Sequence, residues 1–459
     1  MHTLARTPQF EAAVAIARTL AAHGHEAYFA GGCVRDLLLN NEPKDFDVAT
    51  SATPAEIIAL FPRSLQVGAH FGVVIVLTGD IPTEVATFRT DGTYLDGRRP
   101  DSVQFALDPR EDVLRRDFTV NGMLLDPSRI DAASDIVPSS AILDFVEGQP
   151  DLQQKMIRTI GSPARRFAED KLRMLRAVRF AARLNFSIAP ETLAAIQDHA
   201  AEIAQVSNER IRDELTRMLT EGHPRRAFEL LHASGLLAHI LPEVERLRGV
   251  QQPPQYHPEG DVWTHTLMLL DHLPAGASPT LAWGMLLHDI GKPATFQPPD
   301  PRKPGDRIRF NGHVEVGMRI AEVLLDCLRF SNDDKAQILA LIQHHMRFGD
   351  LRAMRTSTLK RFIRLPRFDE HLALHRADCA SSHGDLSLHA LAQTAYEQDE
   401  PAPARPALLL TGHNLIAAGY RPGPLFKSML EVAEDAQLEG SISTREEALE
   451  LIKARFIAQ

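Results

Sequence analysis

The chain has 459 residues, enough for several domains rather than one. Its hydrophobic fraction of 44% and charged fraction of 24% are ordinary for a globular protein; with no leader-like N-terminus and no run of eighteen apolar residues, a cytoplasmic protein outside the membrane is expected. The net charge of −10 argues against indiscriminate nucleic-acid binding, and Cys33, Cys327 and Cys379 lie too far apart in sequence to suggest a disulfide framework or a thiolate zinc site.

In chain order, residues 9–22 carry the spacing of an amphipathic helix, and 26–30 read as a strand running into Gly31-Gly32. Thr53 is placed to cap a helix over 54–60 that opens with Pro54. Residues 73–77 and 84–88 predict strands. Residues 1–150 thus read as a mixed α/β head. Beyond it strand signals nearly vanish. Helices are predicted over 167–184, 190–204, 208–220 and 224–234, which makes 151–250 a helical neck. Pro253-Pro254 and the Pro-rich run 297–305 mark loops in a further helical domain, 251–395. Residues 399–406 read as a linker, and 410–457 as helices of a tail, 396–459.

The most informative stretch is 31–50. Gly31 and Gly32 allow a backbone to approach phosphates closely. Arg35 and Asp36 follow, then Asp45-Phe46-Asp47 in a strand-like context. Two carboxylates at i and i+2 on a strand share one face. Such a pair needs a cation between its members, and Mg²⁺ suits oxygen ligands. Together these parts read as a phosphoryl- or nucleotidyl-transfer site. Glu84 is the candidate third carboxylate; its alternative is a sheet residue facing solvent.

Arg115-Arg116-Asp117-Phe118-Thr119-Val120-Asn121-Gly122 comes next. Arg116 could fork onto phosphate oxygens, with Asp117 and Asn121 bonding a ribose or fixing the loop. Between the two motifs, residues 89–100 combine glycines with dense charge and suggest a mobile loop. Between Arg165 and Arg183 lies a basic cluster mixed with apolar residues, read as a helix with one core side and one basic stripe. Within it, Glu169, Asp170 and Arg173 stand at i,i+4 and i,i+3 spacing and can form one cluster; Arg176 and Arg179 continue the face toward phosphates. By itself the cluster is a surface salt bridge worth about 0.3–0.5 kcal/mol.

These motifs in this order resemble the class II tRNA nucleotidyltransferase and bacterial poly(A) polymerase family, of the polymerase β superfamily. The resemblance implies an α+β protein: a polymerase β-type nucleotidyltransferase head, a mixed sheet with helices, followed by an elongated all-α remainder. It implies Mg²⁺ on Asp45 and Asp47, a nucleotide held by Gly31, Gly32, Arg35 and the 115–122 motif, and base selection by Glu169-Asp170-x-x-Arg173 without an RNA template. Asn208-Glu209-Arg210 resembles the family's final motif, which braces that helix. The implied partners are tRNA, CTP and ATP. Residues 65–73 lack the basic pair of bacterial poly(A) polymerases, and the 412–426 stretch resembles CCA-type tails. Addition of C, C and A to tRNA is therefore favoured. A poly(A) polymerase, an A-adding enzyme and a silent RNA-binding protein are the alternatives.

A second constellation follows: His265, His288-Asp289-Ile290-Gly291-Lys292, His313, His344-His345 and Asp378. The order His, His-Asp, His, His, Asp resembles the HD phosphohydrolase superfamily. It implies a divalent metal, a transition metal among the candidates, on His265, His288, Asp289, His313, His345 and Asp378. His344 is the alternative to His345; alignment by pattern leans to His345. The resemblance implies hydrolysis of 2′,3′-cyclic or terminal phosphates, against a vestigial domain that only holds tRNA.

Overall fold

Residues 2–66, 72–92, 103–131, 136–399 and 408–456 are described by the structure, a computed structural model. Contacts divide the chain into two units, Met1–Pro242 and Glu243–Gln459. The expected head and most of the expected neck fall in the first unit, the expected metal domain and tail in the second.

The first unit is built on a seven-stranded sheet. Its strands are β1 (Ala27–Ala30), β2 (Asp47–Thr50), β3 (Ser64–Leu65), β4 (Val73–Thr78), β5 (Ile81–Thr87), β6 (Leu124–Leu125) and β7 (Ile142–Leu143), in the order β7-β6-β1-β2-β5-β4-β3. All neighbours are antiparallel except β2 and β5, which run parallel with Val48 opposite Val85. The Val73–Thr78 run is β-branched and turns at Gly79 into β5; Val74 and Val76 alternate into the core. Helix α1 (Pro8–Ala22) covers one face with Phe10, Ala13, Ile16 and Leu20 buried. Its Phe10 meets Phe29 and Phe46 edge-on, ring centroids 5.7 and 5.4 Å apart. Phe46 is thereby an anchor that turns its two flanking aspartates to the other face. The Pro54–Leu60 helix starts on Thr53 as expected, with Glu56 closing a capping box.

The predicted helix over 167–184 is two helices: α3 (Pro163–Glu169) and α4 (Leu172–Leu184), after α2 (Gly32–Leu38) earlier in the chain. Asp170 is extended (φ −147°, ψ 108°), and its Oδ1 accepts Leu172 N–H at 3.0 Å. A short polar side chain that satisfies a free helix N–H competes with helix continuation at that place. Helix α5 (Asn208–Thr220) matches its prediction. Residues 67–71, 93–100 and 400–406 lie outside the described residues. They cover most of the stretch read against poly(A) synthesis, part of the expected loop and most of the expected linker.

The second unit is helical. The elements that carry its site are α6 (Val262–Asp271), α7 (Pro279–Leu287), α8 (His313–Cys327), α9 (Asn332–His344) and α10 (Phe368–Ser381). Every residue of α7 from Thr280 to Leu287 is buried. A Cβ on Gly291 would run into the backbone of His313 and Gly317, so glycine there lets α8 close onto the turn after α7. No helix among the described residues is long and apolar enough to cross a membrane.

Candidate transferase site and candidate metal centre

Asp47 opens β2 and Glu84 stands beside it on β5, one step before the Val48–Val85 pairing. Both line a cavity of about 230 Å³ with Ala30, Arg89, Arg115 and Arg116. Asp45 precedes the strand, exposed, with Phe46 buried beneath it. Burial pushes the Asp47 carboxyl up to about 7, and the negative charges of Glu84 and Asp45 add to the rise. Three carboxylates that repel one another, two of them on adjacent central strands, fit a hard divalent cation. Gly31 adopts φ 78°, and a Cβ there would come 3.3 Å from Arg116 Nη1. The left-handed backbone favours glycine there, and a side chain would in addition press on the guanidinium.

Arg115 and Arg116 share a single buried carboxylate, Asp112, at 2.6 and 2.9 Å. Burial opposes ionisation of Asp112, yet the two guanidiniums hold it below the usual carboxylate range. Asp117 is treated likewise: burial raises it, while Arg176 at 2.6 Å holds it down. Its Oδ1 also accepts from Asn121 Nδ2 at 3.3 Å. Asn121 in turn accepts from Arg35 at 2.7 Å. Arg173 donates to Glu169 at 2.6 Å and to the Arg115 carbonyl at 3.3 Å, which ties the expected base-reading cluster to the cavity arginines. Asp170 is gripped by Arg210 of α5 at 2.9 Å.

Two expectations need correction. Arg35 is 3% exposed, bonded to Asp36 and Asn121, with its guanidinium 5.5 Å from the Phe180 ring. It braces the 119–121 turn and does not line the cavity. Arg179 is 4% exposed and paired with Glu214 at 2.7 Å. The basic stripe therefore does not run to Arg179, because at helical spacing its position turns under α5, where Glu214 compensates the buried charge.

In the second unit six predicted side chains converge. They form two trios within ligand distance, His265 with His288 and Asp378, and Asp289 with His313 and His345. Asp289 joins them: Oδ2 is 3.1 Å from His288 Nε2 and 3.9 Å from His265 Nε2, while Oδ1 is 3.7 and 3.8 Å from His313 and His345 Nε2. The α7 helix ends at His288, and the turn after it swings Asp289 between the trios. Nδ1 of His288, His313 and His345 lies 2.9, 2.9 and 2.7 Å from the carbonyls of Met285, Phe310 and Ile342. A carbonyl only accepts, so Nδ1 carries the proton and Nε2 faces the cluster as a bare donor. His265 Nδ1 is held by Glu259 at 2.7 Å. Nε2 of His265 and of His288 is buried, 3.1 Å from Asp378 Oδ1 and from Asp289 Oδ2 respectively. This set of bare imidazole nitrogens and carboxylates fits divalent, including transition, metals. Burial opposes protonation of His265, yet the surrounding carboxylates push it up to about 9; burial and His288 push His345 down to about 4. His344 points elsewhere, toward Phe362 and His371.

Sequence reasoning missed Asp112, Glu259 and Lys292. Asp112 stands three and four residues before Arg115 and Arg116, a spacing that could have shown it. Lys292 was quoted only as part of the His-Asp motif; it reaches Asp289 at 2.7 Å. Glu259 lies in a loop and carries no local signal.

Three family models match: Poly A polymerase head domain over 27–158, probable RNA and SrmB-binding site of polymerase A over 185–247, and HD domain over 261–365. The CCA-adding enzyme of Levilactobacillus brevis is 31% identical over 443 residues, 96% of each chain. That of Geobacillus thermodenitrificans is 43% identical over 233 residues, covering 51% of this chain and 55% of its own. The crystal structure of Bacillus stearothermophilus CCA-adding enzyme in complex with CTP superposes with a TM-score of 0.73 at 27% identity, over 98% of this chain and 99% of that one. Carboxylates and arginines around one cavity, full-length similarity and a shared fold agree, and the chain belongs to the CCA-adding enzyme family of tRNA nucleotidyltransferases, with an HD domain following its head and neck.

Proposed function

We propose that this chain completes tRNA 3′ ends, adding C, C and A from CTP and ATP with release of pyrophosphate. The observation that carries it is the cavity in which Asp47 and Glu84 face Arg115 and Arg116. Asp45, Asp47 and Glu84 would hold Mg²⁺, which activates an attacking 3′-hydroxyl and neutralises the triphosphate. Arg115 and Arg116 receive the phosphates. Glu169 offers an acceptor to an exocyclic amine and Arg173 a donor to a ring nitrogen or carbonyl, with Asp170 held ready by Arg210. The relative from Levilactobacillus brevis and the CTP complex from Bacillus stearothermophilus support the reading. The test is extension of three tRNA forms, ending before CCA, after C and after CC, with CTP, ATP or both. Orderly completion that stops at CCA is expected. Addition of A only after CC, or a long A tail on any RNA, would replace the reading by an A-adding enzyme or a poly(A) polymerase.

A second activity is favoured by the double trio around Asp289. We read it as a divalent-metal phosphohydrolase centre that His265, His288, Asp289, His313, His345 and Asp378 would hold, acting on 2′,3′-cyclic or terminal phosphates. Bound cations would supply an activated water and polarise the phosphoryl group. The chain's own contribution is to fix each imidazole tautomer through Met285, Phe310, Ile342 and Glu259. Unchanged cyclic-phosphate hydrolysis in His288→Ala and Asp289→Ala would end this reading.

A further inference from the structure

Beside the double trio the surface carries aromatic rings and an arginine that neither the transferase nor the metal ligands use. Tyr256 is 49% exposed, though its hydroxyl accepts from Arg307 Nη1 at 2.6 Å and the guanidinium lies 5.1 Å from its ring centroid. Arg302 and Arg309 of the same loop are paired with Asp300 and Asp306, whereas Arg307 is turned onto the tyrosine. The next residue, His257, meets the His265 ring edge-on at 5.0 Å and shares Glu259 with it. Tyr256 is therefore tied to the centre through a single peptide link. On the other side Phe296, 39% exposed, leans on Phe310 at 6.0 Å. The Phe310 carbonyl holds His313, and Lys292 sits 5.4 Å from the Phe310 ring and 2.7 Å from Asp289.

A half-exposed ring costs free energy in water, and one pinned by a guanidinium has already lost its rotamer freedom. A flat apolar face held rigid beside cations is what single-stranded nucleic-acid sites offer a base. We infer that Tyr256, oriented by Arg307, is a stacking seat for a nucleobase, so that the centre takes a terminal nucleotide with its phosphate toward Asp289. This rests on the hydrolase reading above. The chemistry recognised is base plus ribose phosphate, whether from a free mononucleotide or from an RNA 3′ end.

The test uses the full chain loaded with divalent metal. Substrates are 2′,3′-cyclic AMP, a tRNA ending in a 2′,3′-cyclic phosphate, and glycerol 1,2-cyclic phosphate, which has the same ring ester and no base. Tyr256→Ala is expected to raise KM about tenfold for substrates with a base and to leave the glycerol ester within about twofold, since one stacked base is worth one to two factors of ten. Tyr256→Phe should fall between wild type and Tyr256→Ala on substrates with a base and match wild type on the glycerol ester, because the ring still stacks but loses the hydroxyl that Arg307 holds. A rise for tRNA alone assigns the seat to an RNA end; a rise for both assigns it to the terminal nucleotide from either source. Equal KM changes with and without a base, with wild-type hydrolysis intact, overturn the seat and spare the hydrolase reading. If wild type hydrolyses none of the three, the hydrolase reading falls, and calorimetric binding of 3′-AMP decides the seat. Binding that Tyr256→Ala weakens about tenfold supports it, and absent or unchanged binding overturns it.

Discussion

Arg210 holds Asp170 at 2.9 Å, forty residues apart in sequence, while the other Asp170 oxygen starts α4 by accepting from Leu172. One carboxylate thus fixes both the break between two helices and the position of the proposed base-reading cluster. Arg210→Ala should cost about 1–2 kcal/mol of stability, the worth of a partly exposed charged hydrogen bond. It should also blur the choice between CTP and ATP on tRNA ending in CC. Thermal unfolding and the ratio of C to A incorporated at that position check both.

Asp112 positions Arg115 and Arg116 with both of its oxygens. Asp112→Asn keeps the shape but removes the charge that orients the two guanidiniums. KM for CTP and ATP is expected to rise about tenfold, with a smaller change in kcat. A purely structural Asp112 would instead lower the amount of active enzyme and leave KM where it was.

Glu84 would serve the proposed transfer at a cost in stability. Its charge, after burial, helps push the Asp47 carboxyl up to about 7. Glu84→Gln should relieve the repulsion and raise Tm of the metal-free protein by roughly 2 °C, while nucleotide transfer falls about a hundredfold. A melting curve and a single-turnover assay on one preparation settle the pair. Lower Tm together with normal transfer would remove Glu84 from the site.

The metal content of the second unit distinguishes His345 from His344. Two cations per chain are expected there by elemental analysis of the Asp45→Ala/Asp47→Ala protein, in which two of the three transferase carboxylates are gone. His345→Ala should leave one, since the His265, His288 and Asp378 trio survives. His344→Ala should leave two.

His371 is 1% exposed with both ring nitrogens buried and without a hydrogen-bond partner, and burial pushes it down to about 4. The unfolded chain takes up this proton near 6.5, the folded chain only near 4, so protonation between those values favours unfolding. Stability from this residue is complete above about pH 6.5 and is lost as the pH falls toward 4, by at most about 1.4 kcal/mol per pH unit. His371→Leu should flatten that slope and raise Tm at pH 5 more than at pH 8.

Candidate residues are legible in the amino-acid order wherever the signal is local. Period-two alternation put Asp45 and Asp47 on one face, and the structure adds only that Phe46 anchors them. The order of histidines and aspartates named six side chains that converge. Thr53 and Pro54 marked a helix start without help from the rest of the chain. Tertiary structure decided whatever depends on partners far along the chain. Arg35 and Arg179 read as nucleotide-binding cations, yet Asn121 and Glu214, 86 and 35 residues away, draw them into the interior. Glu84 became a neighbour of Asp47 through a parallel pairing no local pattern encodes. His345 was separated from His344 by the end of α9, which turns one ring to Asp289 and the other to Phe362. A charged or imidazole side chain is buried only where distant groups satisfy it, and which groups those are is a property of the packed fold.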